Sequence, residues 1–340
     1  MYETFYGLTG KPFQLNPDPA FFFGSKGHSS AYSYLKYGVF QGEGFIVITG
    51  EIGAGKTTLV RTLLAELDPR KVVAVQLVST QLDADDLLRS VATAFGLPVK
   101  GADKAQLLHT LEAFLTSLVT ENKRALLVVD EAQNLTPRAM EELRMLSNFQ
   151  LGDRALLQSF LVGQPELRNL LREPYMQQLR QRVIASYHLG PMDRDETRAY
   201  IEHRLQRVGW KNDPEFEAAA FDAIYAATGG VPRRINTLCN RLLLAGYLGE
   251  KHRITRADAD LVAGEIRDEV GVDVPLVADA AQALQEIGRN EAVVRPFAVS
   301  SINARLDRLE KAINQVLELL RTLVGPERRS TKSGRQARNG

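Results

Sequence analysis

The sequence predicts an α/β fold. A parallel sheet sandwiched by helices is followed by a small all-helical domain and a C-terminal coiled-coil helix. Three observations predict it. Short, almost wholly apolar runs alternate with helical patterns through the first half of the chain. Strand signals stop after Pro191 while helical patterns continue. Near the C-terminus, apolar residues recur at alternating steps of four and three. Apolar runs without polar alternation suit strands buried on both faces, the condition of a parallel sheet covered on each side by helices.

Residues 1–43 are rich in aromatics, Pro and Gly ("FYGLTGKPFQLNPDPAFFFGS") and read as an irregular lead-in, then a helix through "HSSAYSYLKYGVF". Strands are expected at "GFIVIT", "VVAVQLV", "ALLVVD" and "LLQSFLVG", with a weaker one at "ASYHL". Helical patterns between them run through "KTTLVRTLLAEL", the amphipathic stretch 83–122 and "PRAMEELRMLSNF". These make an α/β unit over 44–190. Helical patterns at 193–208, 214–227, 231–248 and 255–266 then define an all-helical domain over 191–268. After a linker at 269–300 come Ile302, Leu306, Leu309, Ile313, Val316, Leu320 and Leu323. They form an a/d seam of about three heptads over 301–324, which also fits an amphipathic helix packed on its own domain. The tail 325–340 is basic, with almost nothing apolar to bury, and is expected to be disordered.

Composition is that of a globular chain, 44% hydrophobic and 24% charged over 340 residues. A formal net charge of +1 gives no whole-chain bias toward nucleic acid. The one cysteine, Cys239, excludes an internal disulfide framework and a cysteine-built zinc site. It falls in an apolar helical pattern and reads as a small buried residue. The five histidines lack metal-ligand spacing. The first residues lack a signal-peptide pattern, and no stretch approaches the ~20 apolar residues of a membrane helix. The expected location is the cytoplasm, peripheral to the inner membrane only through a partner.

"GEIGAGKTT", residues Gly50, Glu51, Ile52, Gly53, Ala54, Gly55, Lys56, Thr57 and Thr58, matches the phosphate-loop pattern in full. Its glycines let backbone N–H groups converge on an anion, and the following helix offers its N-terminus to the same charge. Lys56 is placed to reach the β- and γ-phosphates, and the Thr57 hydroxyl to bind Mg²⁺. The loop follows an expected strand and opens an expected helix, the context the motif needs.

A second apolar strand ends in acids, "ALLVVDEAQNL". Asp130 there can hold Mg²⁺ through water, and Glu131 can orient or deprotonate an attacking water. That adjacent acid argues for a hydrolase over a small-molecule kinase. The lack of an N-K-x-D guanine-reading stretch favours ATP over GTP. Gln164 closes "LLQSFLVG" beside these two ends, where it can bond the γ-phosphate or the water. Arg180 and Arg182 precede the last strand and could face the nucleotide of a neighbouring subunit. In "TGGVPRRINTL", Arg233 and Arg234 open a helix, where positive charge is disfavoured. That local conflict points to function, with one of the two reaching the γ-phosphate from the helical domain. His28 and "NPDP" are placed to close the adenine side of the pocket, or the "FFF" and "PF" aromatics merely cover the sheet edge.

These motifs, in this order, resemble an AAA+ ATPase of the P-loop NTPase fold. The likeness implies Walker A at 50–58, Walker B at Asp130 and Glu131, sensor 1 at Gln164, an arginine finger near Arg182 and sensor 2 at Arg233. "YGLTGKPFQLNPDPAFFF", "GHSSAYSYLKYGVFQGEGFIVITGEIGAGKTTL", "VVDEAQNL", "LVGQPEL", "LRQRV" and "GGVPRRIN" are similar to the general secretion pathway protein A (ExeA-like) ATPases. This covers about residues 1–268. Within that group the chain most resembles the ATPase of exosortase/PEP-CTERM and exopolysaccharide loci. The resemblance implies an ATP- and Mg²⁺-dependent homo-oligomer, a ring or filament. Its work would be to assemble or energise an envelope export machine, with inner-membrane secretion or polysaccharide-export proteins as partners. The same family is similar to transposition regulators of the MuB and TnsC type, which gives a second reading, an ATP-dependent DNA binder. There the tail residues Arg328, Arg329, Lys332, Arg335 and Arg338 would meet phosphates. A third reading is a nucleotide-gated scaffold with little turnover.

Overall fold

The computed structural model describes residues 1–78 and 82–270. The expected linker beyond Val270, the coiled-coil helix and the basic tail lie outside the described residues. Five parallel strands build the central sheet: β1 (Phe45–Gly50), β2 (Val72–Val78), β3 (Arg124–Asp130), β4 (Leu157–Gly163) and β5 (Val183–Leu189). Their spatial order is β2-β3-β4-β1-β5. All five expected strands are present, and the weakest signal belongs to the edge strand. In β5 the residues Ile184, Ser186 and His188 are exposed while their neighbours are covered, so its apolar run is broken.

Alternation along each strand divides the core between two faces. Ile46, Ile48, Leu126, Val128 and Phe160 pack on one face against α1 (Lys26–Gln41) and α2 (Lys56–Glu66), through Leu35, Leu59 and Leu63. Val47, Leu127, Val129 and Leu161 pack on the other against α3 (Ala84–Ala94), α4 (Lys104–Thr120), α5 (Pro137–Leu146) and α6 (Pro165–Arg172). Every residue of β1 is buried, so each of its side chains contributes about 1.5–3 kcal/mol where it is Ile, Val or Phe. The amphipathic stretch 83–122 is two helices, not one. Gly96 and Gly101 adopt left-handed φ of 77° and 75°, and Pro98 between them cannot continue a helix.

The all-helical part comprises α7 (Arg194–Gln206), α8 (Ala218–Thr228), α9 (Pro232–Leu248) and α10 (Arg256–Val270). Asp193 starts α7 with a reciprocal capping box to Glu196. Two expectations need correction. Strands do not stop at Pro191, because Glu215–Phe216 pairs with Arg253–Ile254. The helix expected from Pro214 accordingly starts at Ala218. Phe216 and Ile254 are buried in the core of the helical part, and that packing outweighs the helical pattern of the sequence.

The lead-in does more than cover the sheet edge. Tyr2, Tyr6, Leu8 and Phe13 belong to the same hydrophobic cluster as Ile201, Ile224, Leu238 and Cys239. The Tyr2 hydroxyl donates to Asn240 Oδ1 (2.8 Å) and the Tyr6 hydroxyl to the Lys251 carbonyl (3.0 Å). Phe21 and Phe23 also lean on this cluster, whereas Phe22 packs on the α1–α2 face of the sheet. Cys239 is buried, as its pattern predicts. Residues 14–23 thus run from the helical part to the sheet across the ends of β1 and α2.

Candidate functional site

The chain reverses sharply after β1. Gly53 and Gly55 take left-handed φ of 81° and 97°, which side-chain-bearing residues rarely adopt. A Cβ at Gly53 would lie 2.3 Å from Arg233 Cβ, and one at Gly55 2.8 Å from His28 Nε2. The loop is therefore a cradle that side chains would fill. Gly55 caps α2, whose first N–H groups have no partner in their own helix. They point, with the positive end of the helix, into a cavity of about 350 Å³.

Lys56 is buried, and its Nζ donates to the carbonyls of Gly50 (2.7 Å) and Glu51 (3.0 Å). Burial pushes its ammonium below the usual lysine value, against the pull of Glu131, Asp130 and Glu51. Thr57 Oγ1 donates to Asp130 Oδ2 at 2.9 Å. Asp130 also accepts the Glu131 N–H at 3.0 Å and the Gln76 amide at 3.4 Å. Burial raises its pKa above the ordinary value, and the Thr57 and Glu131 donors only partly offset that.

Glu131 stands at the end of β3 with φ 54° and ψ 38°, a strained conformation for glutamate. Such residues concentrate at functional sites. Burial alone would raise its carboxyl, but hydrogen bonds from Gln133 and Gln164 and the charge of Lys56 hold it below the usual carboxylate value. Gln164 does end β4 beside these groups as expected, and its side chain is committed to Glu131 Oε2 at 3.0 Å.

His28 is buried with its ring edge on the loop. Nε2 lies 3.0 Å from the Ala54 carbonyl, and Nδ1 lies 2.7 Å from Ser25 Oγ. A carbonyl can only accept, so Nε2 carries the proton and Nδ1 accepts from Ser25. Burial depresses the His28 pKa, the Ala54 bond opposing. His28 thus buttresses the loop while it lines the cavity with Asn16, Pro17 and Phe22 of the lead-in.

The helical part supplies the opposite wall. The Arg233 N–H donates to the Gly53 carbonyl at 3.1 Å, so α9 begins directly on the phosphate loop. Arg233 lines the cavity; Arg234 is exposed and does not. Arg180 and Arg182 lie elsewhere. Val183 pairs with Phe45 at the start of β1, five residues or about 17 Å from Gly50. Arg182 Nη1 donates to Ser147 O and Oγ (both 2.9 Å), and Arg180 to the carbonyls of Leu171 and Arg172. Neither can reach the loop of its own chain.

Three other groups at the cavity carry no motif in the sequence: Tyr200, Arg204 and Asn236. Arg204 is buried and donates to the carbonyls of Pro12 (2.6 Å) and Gln14 (3.3 Å) and to the Tyr200 hydroxyl (2.8 Å). Its guanidinium lies 4.8 Å from the Phe21 ring centroid. A polar residue on an amphipathic helix carries no mark that the lead-in will fold over it. Gln133 was in view, inside "DEAQNL", but nothing in the sequence shows that its amide meets Glu131.

A five-stranded parallel sheet with the phosphate loop after its second-last strand is a P-loop NTPase core. Residues 39–171 match the AAA domain family. The chain is similar in fold to the Aeropyrum pernix ORC2 protein in its ADPNP–ADP complexes (TM-score 0.57, 19% identity, 75% of this chain and 71% of that one). It is also similar in fold to Cdc6p from Pyrobaculum aerophilum (TM-score 0.58, 16% identity, 78% and 74%). The chain as a whole is 36% identical over 336 residues to general secretion pathway protein A of Aeromonas hydrophila. The match takes in 94% of this chain and spans 61% of the length of that relative. Among the described residues, no helix is long and apolar enough to cross a membrane.

Proposed function

We propose that this AAA domain protein is a Mg²⁺-dependent ATPase that binds ATP in the cavity between the sheet and the helical part and hydrolyses it. The observation that carries the reading is the coincidence of the cradle at Gly53–Gly55 and the buried Lys56 with the Thr57–Asp130 pair and the hydrogen-bonded Glu131 carboxyl. Backbone amides of the loop and Lys56 would hold the phosphates, with His28 and residues 16–22 closing the base side. Thr57 Oγ1 and Asp130 Oδ2, hard oxygens 2.9 Å apart, fit a magnesium site completed by water and phosphate. Bound magnesium supplies charge neutralisation to the β- and γ-phosphate oxygens. Glu131 takes the proton of the attacking water as the bond to ADP breaks.

We place Arg233 at the γ-phosphate from the helical domain, 191–268, and Arg182 at the nucleotide of a neighbouring copy in a ring or filament. The position of Arg182 at the far end of β5 supports action between subunits over action within one. Release of phosphate would loosen both contacts and let the domains and subunits shift. The work done is assembly or energising of an envelope secretion machine, in the finer reading an exosortase and exopolysaccharide system at the inner membrane. Likeness to general secretion pathway protein A along nearly the whole chain supports the secretion role.

Purified protein is expected to hydrolyse ATP only with magnesium, and loss of the gene to impair export of surface polysaccharide or protein. ATP-dependent binding to duplex DNA that falls steeply with salt, in a strain with intact export, would move the conclusion to a DNA-binding regulator.

A further inference from the structure

Glu131 is held by a network that the phosphate loop does not require. Its Oε2 accepts two hydrogen bonds, from Gln133 Nε2 at 2.7 Å and Gln164 Nε2 at 3.0 Å. The other end of Gln133 is used as well, since its Oε1 accepts the Gln164 backbone N–H at 3.0 Å. One side chain therefore joins the end of β3 to the end of β4. It does so at very close range: a Cβ on Gly163 would lie 2.6 Å from Gln133 Oε1. The acid it contacts sits on a left-handed backbone, φ 54°. Two donors on one oxygen fix both the rotamer and the plane of a carboxylate, and bonds to a charged acceptor are the strong ones.

We infer that Gln133 is a positioning residue, fixing the Glu131 carboxylate in the orientation that receives the proton of the attacking water. The inference rests on the ATPase reading above. In that reaction the water oxygen bonds to the γ-phosphorus, the phosphorus–oxygen bond to ADP breaks with its electron pair leaving on ADP, and the water proton passes to Glu131. Gln133 does not line the cavity. It acts through the orientation of the acid, with Gln164 as its partner. Gln164, given to the γ-phosphate by its place in the sequence, is on this view part of the same clamp. The clamp costs nothing in reorganisation during the reaction, because its bonds are already made.

Gln133→Met keeps the length and bulk of the side chain and removes both polar ends. Its kcat is expected to fall roughly ten- to a hundred-fold, as for a misaimed catalytic group, with KM and nucleotide affinity unchanged. A purely structural role would lower thermal stability or affinity along with kcat. The Glu131 carboxyl ¹³C signal at neutral pH, with glutamate labelled and the signal assigned by Glu131→Gln, reads the same contact without turnover. Gln133→Met should shift it. An unchanged signal overturns the inference even if the wild type proves inert, an outcome that separately defeats the ATPase reading. A higher kcat in Gln133→Met also overturns it, since Gln133 would then restrain Glu131 and not aim it.

Discussion

The backbone N–H of Arg233 donates to the carbonyl of Gly53 across 3.1 Å, so the first turn of α9 rests on the phosphate loop itself. A movement of α9 is consequently felt where the phosphates would lie. Gly53→Ala tests this contact. Its new methyl would fall 2.3 Å from Arg233 Cβ, on a backbone with φ 81°. We expect ATP affinity to fall at least tenfold and the melting temperature to drop by several degrees, roughly the effect of 1–3 kcal/mol. Titration with a fluorescent ATP analogue and a thermal melt check both.

Arg204 ties the lead-in to α7 through the Pro12 and Gln14 carbonyls. Arg204→Met retains much of the packing against Phe21 but leaves buried acceptors unmet. A loss of roughly 2–4 kcal/mol in denaturant unfolding is expected. Limited proteolysis should then cut within residues 10–23 first.

His28 gives a pH dependence with a definite sign. Its folded pKa lies below the ordinary 6.5, so the unfolded chain binds the proton more readily. The neutral ring's contribution is complete above 6.5 and is lost as pH falls below that value. Melting of the wild type should therefore decline from pH 7 to pH 5 more steeply than that of His28→Gln. Parallel curves would remove the role of the neutral ring at Ala54.

If Arg182 serves a neighbour's nucleotide, Arg182→Ala should lose turnover by on the order of a hundredfold or more while ATP affinity stays within twofold. Mixing it with Lys56→Ala should restore part of the rate, because the Lys56→Ala copy donates an intact Arg182 to the other's site. No recovery in mixtures that co-assemble would count against a shared site.

Much of the fold was readable because its determinants are local. Val47 and Ile48 sit in an unbroken apolar run, and such runs have few alternatives to a doubly covered strand. The loop at 50–58 was readable because its glycines answer a steric demand within nine residues. Other parts depend on who meets whom. The "PF" of the lead-in gives no hint that Phe13 ends in the core of the helical part beside Ile201. The helix start at Ala218 moved because Phe216 pairs with a partner strand 38 residues later. The clamp on Glu131 depends on a register between β3 and β4 that no single stretch contains.

In the proposed function Lys56 holds the nucleotide and Glu131 cuts it. Equilibrium binding of ATP and phosphate release, measured together on wild type, Lys56→Ala and Glu131→Gln, test it most directly. Lys56→Ala should bind no ATP, and Glu131→Gln should bind it as tightly as wild type while turning over at least a hundredfold more slowly. Wild-type affinity in Lys56→Ala, or an unaltered rate in Glu131→Gln, would rule out these roles for the two residues.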